Sequence, residues 1–214
     1  MARAERKPAR GAPAARVTGP KTSSVKPKPS YPHKLRIIGG CWRGRKLDVS
    51  DSEGLRPTPD RVRETLFNWL QPYIAGAHCL DLFAGTGALC LEALSRGAAG
   101  VVMVEKAPSV AQRLRQHVER LEATGAEVVS VDAVEFLRQT PQAFDIVFLD
   151  PPFKSNLIAD CAALVETRGW IKPGGLIYIE APSRMSELAL PATWELIRSK
   201  KAGQVGYHLA RKTA

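Results

Sequence analysis

Two short motifs contain residues whose types and spacing suit chemistry on an amine. The first is Asp150-Pro151-Pro152-Phe153, which follows an apolar run. Consecutive prolines fix backbone torsions and donate no hydrogen bond, so nearby carbonyl groups form a rigid set of acceptors. We expect Asp150 and the Pro151 carbonyl to accept both hydrogens of the exocyclic amine of a nucleobase, while Phe153 stacks on the ring of that base. These four are the candidate catalytic residues, although a strand ending in an Asp-capped proline turn is the alternative.

The second motif is a glycine-rich loop that follows another apolar run. Gly85 and Gly87 allow a ligand to approach the backbone at the carboxyl end of a strand. The spacing departs from Gly-x-Gly-x-x-Gly because Cys90 stands at the third glycine position, and Asp81 would repel a pyrophosphate. The loop instead suits a cationic ligand, such as one with an ammonium and a sulfonium group. A tight turn without a ligand is the alternative.

Two further acids follow the next two predicted strands. Glu105 lies 18 residues after Gly87, where a carboxylate can accept hydrogen bonds from both hydroxyls of a ribose. Asp132 can reach an adenine amino group from the end of the third strand. A single acid at a strand end is more often a helix cap, but three in succession favour one adenosine-containing ligand. The predicted cofactor-binding residues are Asp81, Phe83, Ala84, Gly85, Gly87, Glu105, Asp132 and Ala133.

The elements that must position these motifs alternate between short apolar runs and amphipathic segments, which predicts a doubly wound α/β sheet. The five predicted parallel strands are Cys79–Phe83, Val101–Glu105, Val128–Val131, Phe144–Asp150 and Leu176–Glu180. Two more runs, Trp194–Lys200 and Val205–Ala210, meet at a tight turn and should pair antiparallel. The sequence therefore predicts a Rossmann-like fold with a seven-stranded, mostly parallel sheet and an antiparallel last strand.

A small hairpin and a helix are predicted before the sheet. Two short strands flank the turn Gly39–Gly44. Thr58, Pro59 and Asp60 then favour the start of a helix, as a hydroxyl N-cap, a proline at the first helical position and an acid near the positive dipole end. Its predicted buried face is Val62, Leu66, Trp69, Leu70 and Tyr73, and its other faces carry Arg61, Arg63 and Glu64.

Charge and composition divide the chain into a tail and one domain. Ten of the 31 Lys and Arg residues lie within positions 1–36, against one acid, whereas the remainder is nearly neutral. We expect 1–34 to be a disordered basic tail and 35–214 to be one domain, of which 35–75 form the hairpin and helix extension. The tail suits a polyanion through counterion release. A merely solubilising arm is the alternative.

The cysteines and the hydropathy limit the class of protein further. The four cysteines and four histidines show no metal-ligand or redox spacing, so we assign no metal site and expect a reducing, cytoplasmic location. No stretch is apolar over the roughly 18 residues that a membrane helix needs, so no membrane association is expected.

Six motifs, taken in order, carry a resemblance to a known family. They are Arg36-Ile-Ile-Gly-Gly, Arg43-Gly-Arg-Lys-Leu, Arg56-Pro-Thr, Asp60-Arg-Val-Arg-Glu-Thr-Leu-Phe-Asn, the Asp81 loop and Asp150-Pro-Pro-Phe. Over roughly residues 35–211 the chain resembles the bacterial 16S rRNA (guanine-966 N2) methyltransferases. The resemblance implies a class I methyltransferase fold, S-adenosylmethionine as the methyl donor, and 16S rRNA within the small ribosomal subunit or its assembly intermediate as the substrate. Apart from the resemblance, we expect the protein to be a monomer. The basic tail and Gln116-His117 depart from the family pattern.

The resemblance turns a cluster of basic residues into candidate RNA contacts, with a solvated charged hairpin as the alternative. They are Arg36, Arg43, Arg45, Lys46 and Arg56. Two other functions remain open. A DNA adenine methyltransferase would use the same Asp-Pro-Pro-aromatic motif, but the short connections leave little room for a domain that reads base edges. A noncatalytic ribosome-assembly factor could keep the fold alone, and the intact Asp150 motif argues against it.

Overall fold

The computed structural model describes residues 1–2, 34–49, 58–152, 157–185 and 188–213. Residues 3–33 of the predicted tail, Arg56 and Phe153 lie outside this part. Lys34, placed in the tail by the sequence, belongs to the first strand. The strands are β1 (Lys34–Arg36), β2 (Lys46–Asp48), β3 (His78–Asp81), β4 (Gly100–Val104), β5 (Ala126–Val129), β6 (Phe144–Leu149), β7 (Ile171–Pro182), β8 (Trp194–Ala202) and β9 (Val205–Lys212). The helices are α1 (Asp60–Ile74), α2 (Ala88–Ser95), α3 (Pro108–Arg120), α4 (Ala133–Leu137) and α5 (Leu157–Thr167).

Seven strands form one sheet in the order β5-β4-β3-β6-β7-β9-β8, and β1 and β2 form a separate antiparallel hairpin. Strands β3 to β7 run parallel to one another, and β9 pairs antiparallel with both β7 and β8. The predicted fold class is confirmed. The sequence did not predict that β9 inserts between β7 and β8. This order follows from burial, because Leu209 and Ala210 of β9 are buried, whereas the lysine-bearing β8 is mostly exposed and suits a sheet edge.

Helices cover both faces of the sheet. On one face, α1, α2 and α3 contribute Leu66, Leu89 and Leu114, respectively, to a buried apolar cluster. On the other face, α4 and α5 contribute Phe136 and Val165 to a second cluster. The sheet is thus buried on both sides, which accounts for the near-continuous apolar runs of its central strands. No helix of the described ranges is long and apolar enough to cross a membrane.

The start of helix α1 differs from the prediction. Pro59 occupies the N-cap position and no side chain caps the helix, so the predicted Thr58 cap is wrong. The buried face is also rotated from the predicted one, since Tyr73 is exposed and Phe67 and Ile74 are buried instead. Val62, Leu66 and Leu70 are buried as predicted.

Arg63, predicted on an outer face of α1, is 1 % exposed. Its guanidinium lies 3.6 Å from the carboxylate of the fully buried Glu92 and 2.6 Å from that of Asp60, and it donates to the Arg36 carbonyl at 2.9 Å. A buried charge is tolerated only when it is paired and hydrogen-bonded. Among the described residues, Arg63 is paired with two carboxylates and hydrogen-bonded through Nη2, whereas its Nε and Nη1 have no hydrogen-bond partner. These contacts join α1, α2 and the hairpin.

Candidate functional site

Three acids meet at the carboxyl edge of the sheet. Asp81 ends β3, and Asp150 directly follows β6. Glu180 lies near the end of β7, one residue beyond the pair Leu149 and Ile179, and is therefore beside Asp150 in register. Asp81 and Glu180 are 2 % and 3 % exposed, and Asp150 is partly exposed. Because ligands bind at this edge of open α/β sheets, the predicted catalytic and cofactor motifs are in the expected place.

The glycine-rich loop between β3 and α2 is built on Asp81. One oxygen of Asp81 accepts from the Phe83 amide at 3.1 Å, and the other accepts from the Cys90 thiol at 2.8 Å. The loop is closed by a hydrogen bond of 2.7 Å from the Gly87 amide to the Ala84 carbonyl. Burial, reinforced by the charges of nearby acids and opposed by these two hydrogen bonds, raises the pKa of Asp81 to about 6.

Asp81 has no basic partner among the described residues, since its hydrogen-bond donors are an amide and a thiol. Leaving a carboxylate buried without a counter-charge is costly. A ligand with an ammonium or sulfonium group would supply the missing positive charge. The donor set of the loop therefore fits a cationic ligand, which is what the sequence predicted.

Glu105 and Asp132 flank the loop on the next two β-α connections. The two oxygens of Glu105 accept from the Gly85 amide at 3.0 Å and the Ala107 amide at 2.7 Å. Asp132 does not end β5, as predicted, but lies three residues later, where it caps α4 by accepting from the Val134 amide at 2.9 Å.

Lys106 contacts the Asp132 carboxylate at 3.0 Å, and this contact holds the pKa of Asp132 below its usual value. Ala133 is the first residue of α4 and is buried. Both Glu105 and Asp132 are partly exposed. Their carboxylates are thus available to hydroxyl and amino groups of a ligand that lies across the strand ends.

The Asp150 motif lies beside this cleft. Pro151 is buried and Pro152 is exposed. Burial, together with the charges of Glu180 and Asp81, raises the pKa of Asp150 well above its usual value, while a hydrogen bond from Thr58 opposes the rise.

Thr58, Tyr178 and Glu180 belong to the site but were missed by sequence reasoning. The Thr58 side chain is buried and favours the ionised forms of Asp150 and Glu180, so it lowers the pKa of both carboxyl groups against the effect of burial. The Tyr178 hydroxyl donates to Glu180 Oε1 at 2.7 Å. One signal was available, because Glu180 ends an apolar run at the same sheet edge as Asp81.

The hairpin presents the described candidate RNA contacts to solvent. Arg36, Arg43, Arg45 and Lys46 are all exposed. Among the described residues, none of the four side chains forms an ion pair. An exposed cation without an internal partner is available to a phosphate.

The turn of the hairpin is fixed rigidly to α2. Glu92 accepts from the amides of Ile38 and Gly39, both at 2.8 Å, and the Ser95 hydroxyl donates to the Gly39 carbonyl at 2.6 Å. Gly40 has a φ of +74°, and a Cβ there would overlap the Ser95 carbonyl. The glycine pair thus permits contact between the turn and the helix that begins at the cofactor loop.

His117, one of the two departures from the family pattern, also holds the hairpin. The ring is buried on α3, and its Nε2 lies 2.9 Å from the Asp48 carbonyl of β2. Arg120 of the same helix contacts the Asp48 carboxylate at 3.4 Å. The role of His117 is therefore structural.

A cavity of about 310 Å³ lies at the opposite, amino-terminal edge of the sheet, lined in part by Tyr73, Asp145 and Lys172. Asp145 pairs with Lys172 at 2.7 Å. This cavity is remote from the acids of the cleft and takes no part in the candidate site.

Comparison with known proteins agrees with this geometry. Residues 35–211 match the model of the family described as conserved hypothetical protein 95. The chain is 51 % identical over 189 residues to ribosomal RNA small subunit methyltransferase D of Escherichia coli K12, covering 88 % of this chain and 96 % of the relative. The Haemophilus influenzae protein of the same name is 46 % identical over 185 residues, covering 85 % and 95 %.

A solved structure from Escherichia coli that carries a methyltransferase name superimposes with a TM-score of 0.80 at 49 % identity, covering 85 % of this chain and 99 % of that one. The fold is that of the class I methyltransferases. The chain belongs to the family described as conserved hypothetical protein 95, and to the same family as the bacterial proteins named ribosomal RNA small subunit methyltransferase D.

Proposed function

We propose that this protein transfers a methyl group from S-adenosylmethionine to the exocyclic N2 of a guanine in 16S rRNA, at the position methylated by the family it resembles, guanine 966. The observation that carries the proposal is the placement of Asp150-Pro-Pro directly beside the Asp81 loop at one sheet edge. The identity of 51 % to a named ribosomal RNA methyltransferase over most of both chains supports the choice of substrate.

Each of the described acids binds a different part of the methyl donor. Asp81 pairs with the cationic methionine end, Glu105 accepts from the ribose hydroxyls, and Asp132 accepts from the adenine amino group. Bound S-adenosylmethionine supplies an electrophilic methyl group on a sulfonium. Because Lys106 contacts Asp132 at 3.0 Å, this lysine must share or release that carboxylate when an adenine binds.

On the other side of the cleft, Asp150 and the Pro151 carbonyl accept the two hydrogens of the guanine amine. This orients the nitrogen toward the methyl group and converts a bimolecular encounter into a positioned one. Phe153 stacks on a base removed from its own stack, which contributes about 1 to 3 kcal/mol.

The hairpin supplies affinity for the RNA. Its basic side chains and Arg56 neutralise phosphates and fix the position of the RNA without distinguishing its base sequence. The hairpin residues are Arg36, Arg43, Arg45 and Lys46. Since α2 carries both the hairpin turn and the end of the cofactor loop, RNA and methyl donor are positioned by one rigid element. The basic residues of the tail add salt-dependent affinity.

Methyl transfer from labelled S-adenosylmethionine tests the proposal. Small ribosomal subunits without the modification, naked 16S rRNA and duplex DNA are compared as substrates, with Asp150→Ala as the inactive variant and Asp145→Asn as a matched acid at the opposite edge. We expect transfer to the rRNA substrate by the wild type and by Asp145→Asn, and loss with Asp150→Ala. Transfer to adenine in the duplex DNA would instead support a DNA adenine methyltransferase. Cofactor binding without transfer to any substrate would favour the assembly factor.

A further inference from the structure

A second basic surface lies on the edge strand β8 and on the chain just after β7. Its four cations are exposed, and none of them forms an ion pair with another described residue. Residues 196–207, which cover most of β8, the turn and the start of β9, contain no acid. The members of this distal basic cluster are Arg184, Arg198, Lys200 and Lys201.

The register of the sheet places the distal basic cluster beside the active edge. Glu180 of β7 pairs with Tyr207 of β9, which pairs in turn with Lys200 of β8. Since Asp150 lies next to Glu180, one row of residues crosses four strands from the proposed acceptor of the amine to the cluster. Neighbouring strands are about 4.8 Å apart, so the Lys200 backbone lies about 14 Å from Asp150 along this row.

The turn between β8 and β9 joins the end of β7 to the cluster. The Ser183 amide donates to the Gln204 carbonyl of this turn at 2.8 Å. Arg184 directly follows Ser183, and Lys201 is the last residue but one of β8. Both cations are therefore at the carboxyl edge of the sheet, where Asp150 also lies.

Lys200 is held by aromatic rings and not by a carboxylate. Its Nζ lies 5.9 Å from the centre of the Trp69 ring of α1. Trp69 in turn stacks on Tyr207, with the ring centres 5.5 Å apart. A cation–π contact fixes the position of an ammonium group without neutralising its charge. The Lys200 charge is thus both positioned and available to an anion.

Lysines on an edge strand can also prevent edge-to-edge pairing with another sheet. That use needs only exposed charge at any point along the strand. The basic residues of β8 are instead confined to the part from Arg198 onward, which approaches the active edge, whereas the strand begins with Trp194, Glu195 and Leu196. Their distribution favours a ligand at the active edge.

The two basic surfaces flank the active acids on opposite sides. The β1–β2 hairpin contacts α2 and α3, the helices that follow β3 and β4, through Glu92 and His117. The strand order β5-β4-β3-β6-β7-β9-β8 places Asp81 and Asp150 between that region and β8. An RNA strand that crosses the cleft can therefore contact both surfaces.

We propose that the distal basic cluster binds phosphates of the RNA strand on the side of the target guanine away from the β1–β2 hairpin, within a few nucleotides of that guanine. The inference rests on the proposed function, because the strand is the one whose guanine Asp150 receives. Lys and Arg bind phosphates whatever the adjoining base is, and such contacts fix the position of the strand. Contacts on both flanks hold the strand while the target base leaves its stack.

Salt-dependent binding of the full-length protein to naked 16S rRNA tests the proposal. Lys200→Gln combined with Lys201→Gln should raise the dissociation constant about tenfold at about 0.15 M salt and reduce the slope of log affinity against log salt by about one to two. Lys200→Arg combined with Lys201→Arg keeps both charges and should retain the wild-type slope.

Arg138→Gln combined with Arg168→Gln is the matched control. It also removes two exposed charges, but these follow α4 and α5 and lie near the start of β7, at the opposite edge of the sheet. The slope should change little in this variant. In methyl transfer to small subunits, the Gln variant of Lys200 and Lys201 should raise KM about tenfold with little change in kcat, because neither lysine contacts the reacting atoms.

The outcomes separate this inference from the proposed function. An unchanged slope and dissociation constant in the folded Gln variant of Lys200 and Lys201 would overturn the proposal, and self-association of that variant would then assign the lysines to edge protection. An equal loss in the Arg138 and Arg168 control would also overturn it, because net charge alone would account for the effect. If the wild type methylates no guanine N2, the proposed function fails, whereas the slope of RNA binding still decides whether this surface binds RNA phosphates.

Discussion

Affinity for the methyl donor should depend on pH through Asp81. In the free protein the pKa of Asp81 is about 6, so its carboxyl group is about 90 % ionised at pH 7 and about 10 % ionised at pH 5. A cationic ligand binds the ionised form and lowers the pKa in the complex. Affinity is therefore nearly full at pH 7 and above, and is lost progressively as the pH falls through 6. The dissociation constant should rise about tenfold between pH 7 and pH 5.

Calorimetric titration with S-adenosylhomocysteine measures this change without turnover. Its α-amino group is mostly protonated across this range, so its charge changes little. Asp81→Asn should bind more weakly at pH 7 and should lose most of the pH dependence. Asp145→Asn is the matched control. Although burial opposes the effect, contacts with Lys172 and His78 hold the pKa of Asp145 below its usual value, so Asp145 stays ionised from pH 5 to 7.

The reasoning fails on either of two results. A wild-type dissociation constant that changes by less than about twofold, in protein shown by circular dichroism to remain folded, would mean that Asp81 does not pair with the ligand cation. An Asp81→Asn variant with the full wild-type slope would assign the pH dependence to another group.

Two further predictions concern the hairpin. Replacing Arg43, Arg45 and Lys46 with Gln should weaken binding to small-subunit RNA and reduce the slope of log affinity against log salt by about two to three. An unchanged slope would refute these phosphate contacts. Gly40→Ala should lower the free energy of unfolding by about 2 kcal/mol or more, because its Cβ would overlap a backbone carbonyl of α2. Gly44→Ala, with a φ of +85° and no atom within 4 Å, should cost only about 1 kcal/mol. Equal melting temperatures for the two variants would contradict close packing of the hairpin turn against α2.

The sheet could be predicted because its central strands are buried on both faces. Such strands appear in the sequence as apolar runs, and the five predicted parallel strands all exist, with ends that differ by a few residues. The insertion of β9 between β7 and β8 was not predicted, since a hairpin can join a sheet by either of its two strands. In the folded chain Leu209 of β9 is buried and Lys200 of β8 is exposed, which places β9 inside the sheet and β8 at its edge.

The positions of Asp81 and Asp150 could be predicted because parallel strands bring their carboxyl ends to one edge. The roles of Thr58 and Arg63 could not. A hydroxyl before a helix has a common local use as a cap, and a charged residue on a helix is usually exposed. Arg63 instead has partners on other elements, since it donates to the Arg36 carbonyl, 27 residues away in sequence. Only the fold brings such pairs together.

The central claim is tested most directly by identifying the atom that receives the methyl group. Unmodified small ribosomal subunits are incubated with the protein and S-adenosylmethionine that carries a deuterated methyl group, and the rRNA nucleosides are resolved by mass spectrometry. The account predicts deuterated N2-methylguanosine from one position of 16S rRNA, and none with Asp150→Ala. A label on adenine, on a guanine ring nitrogen, or at many positions would contradict it.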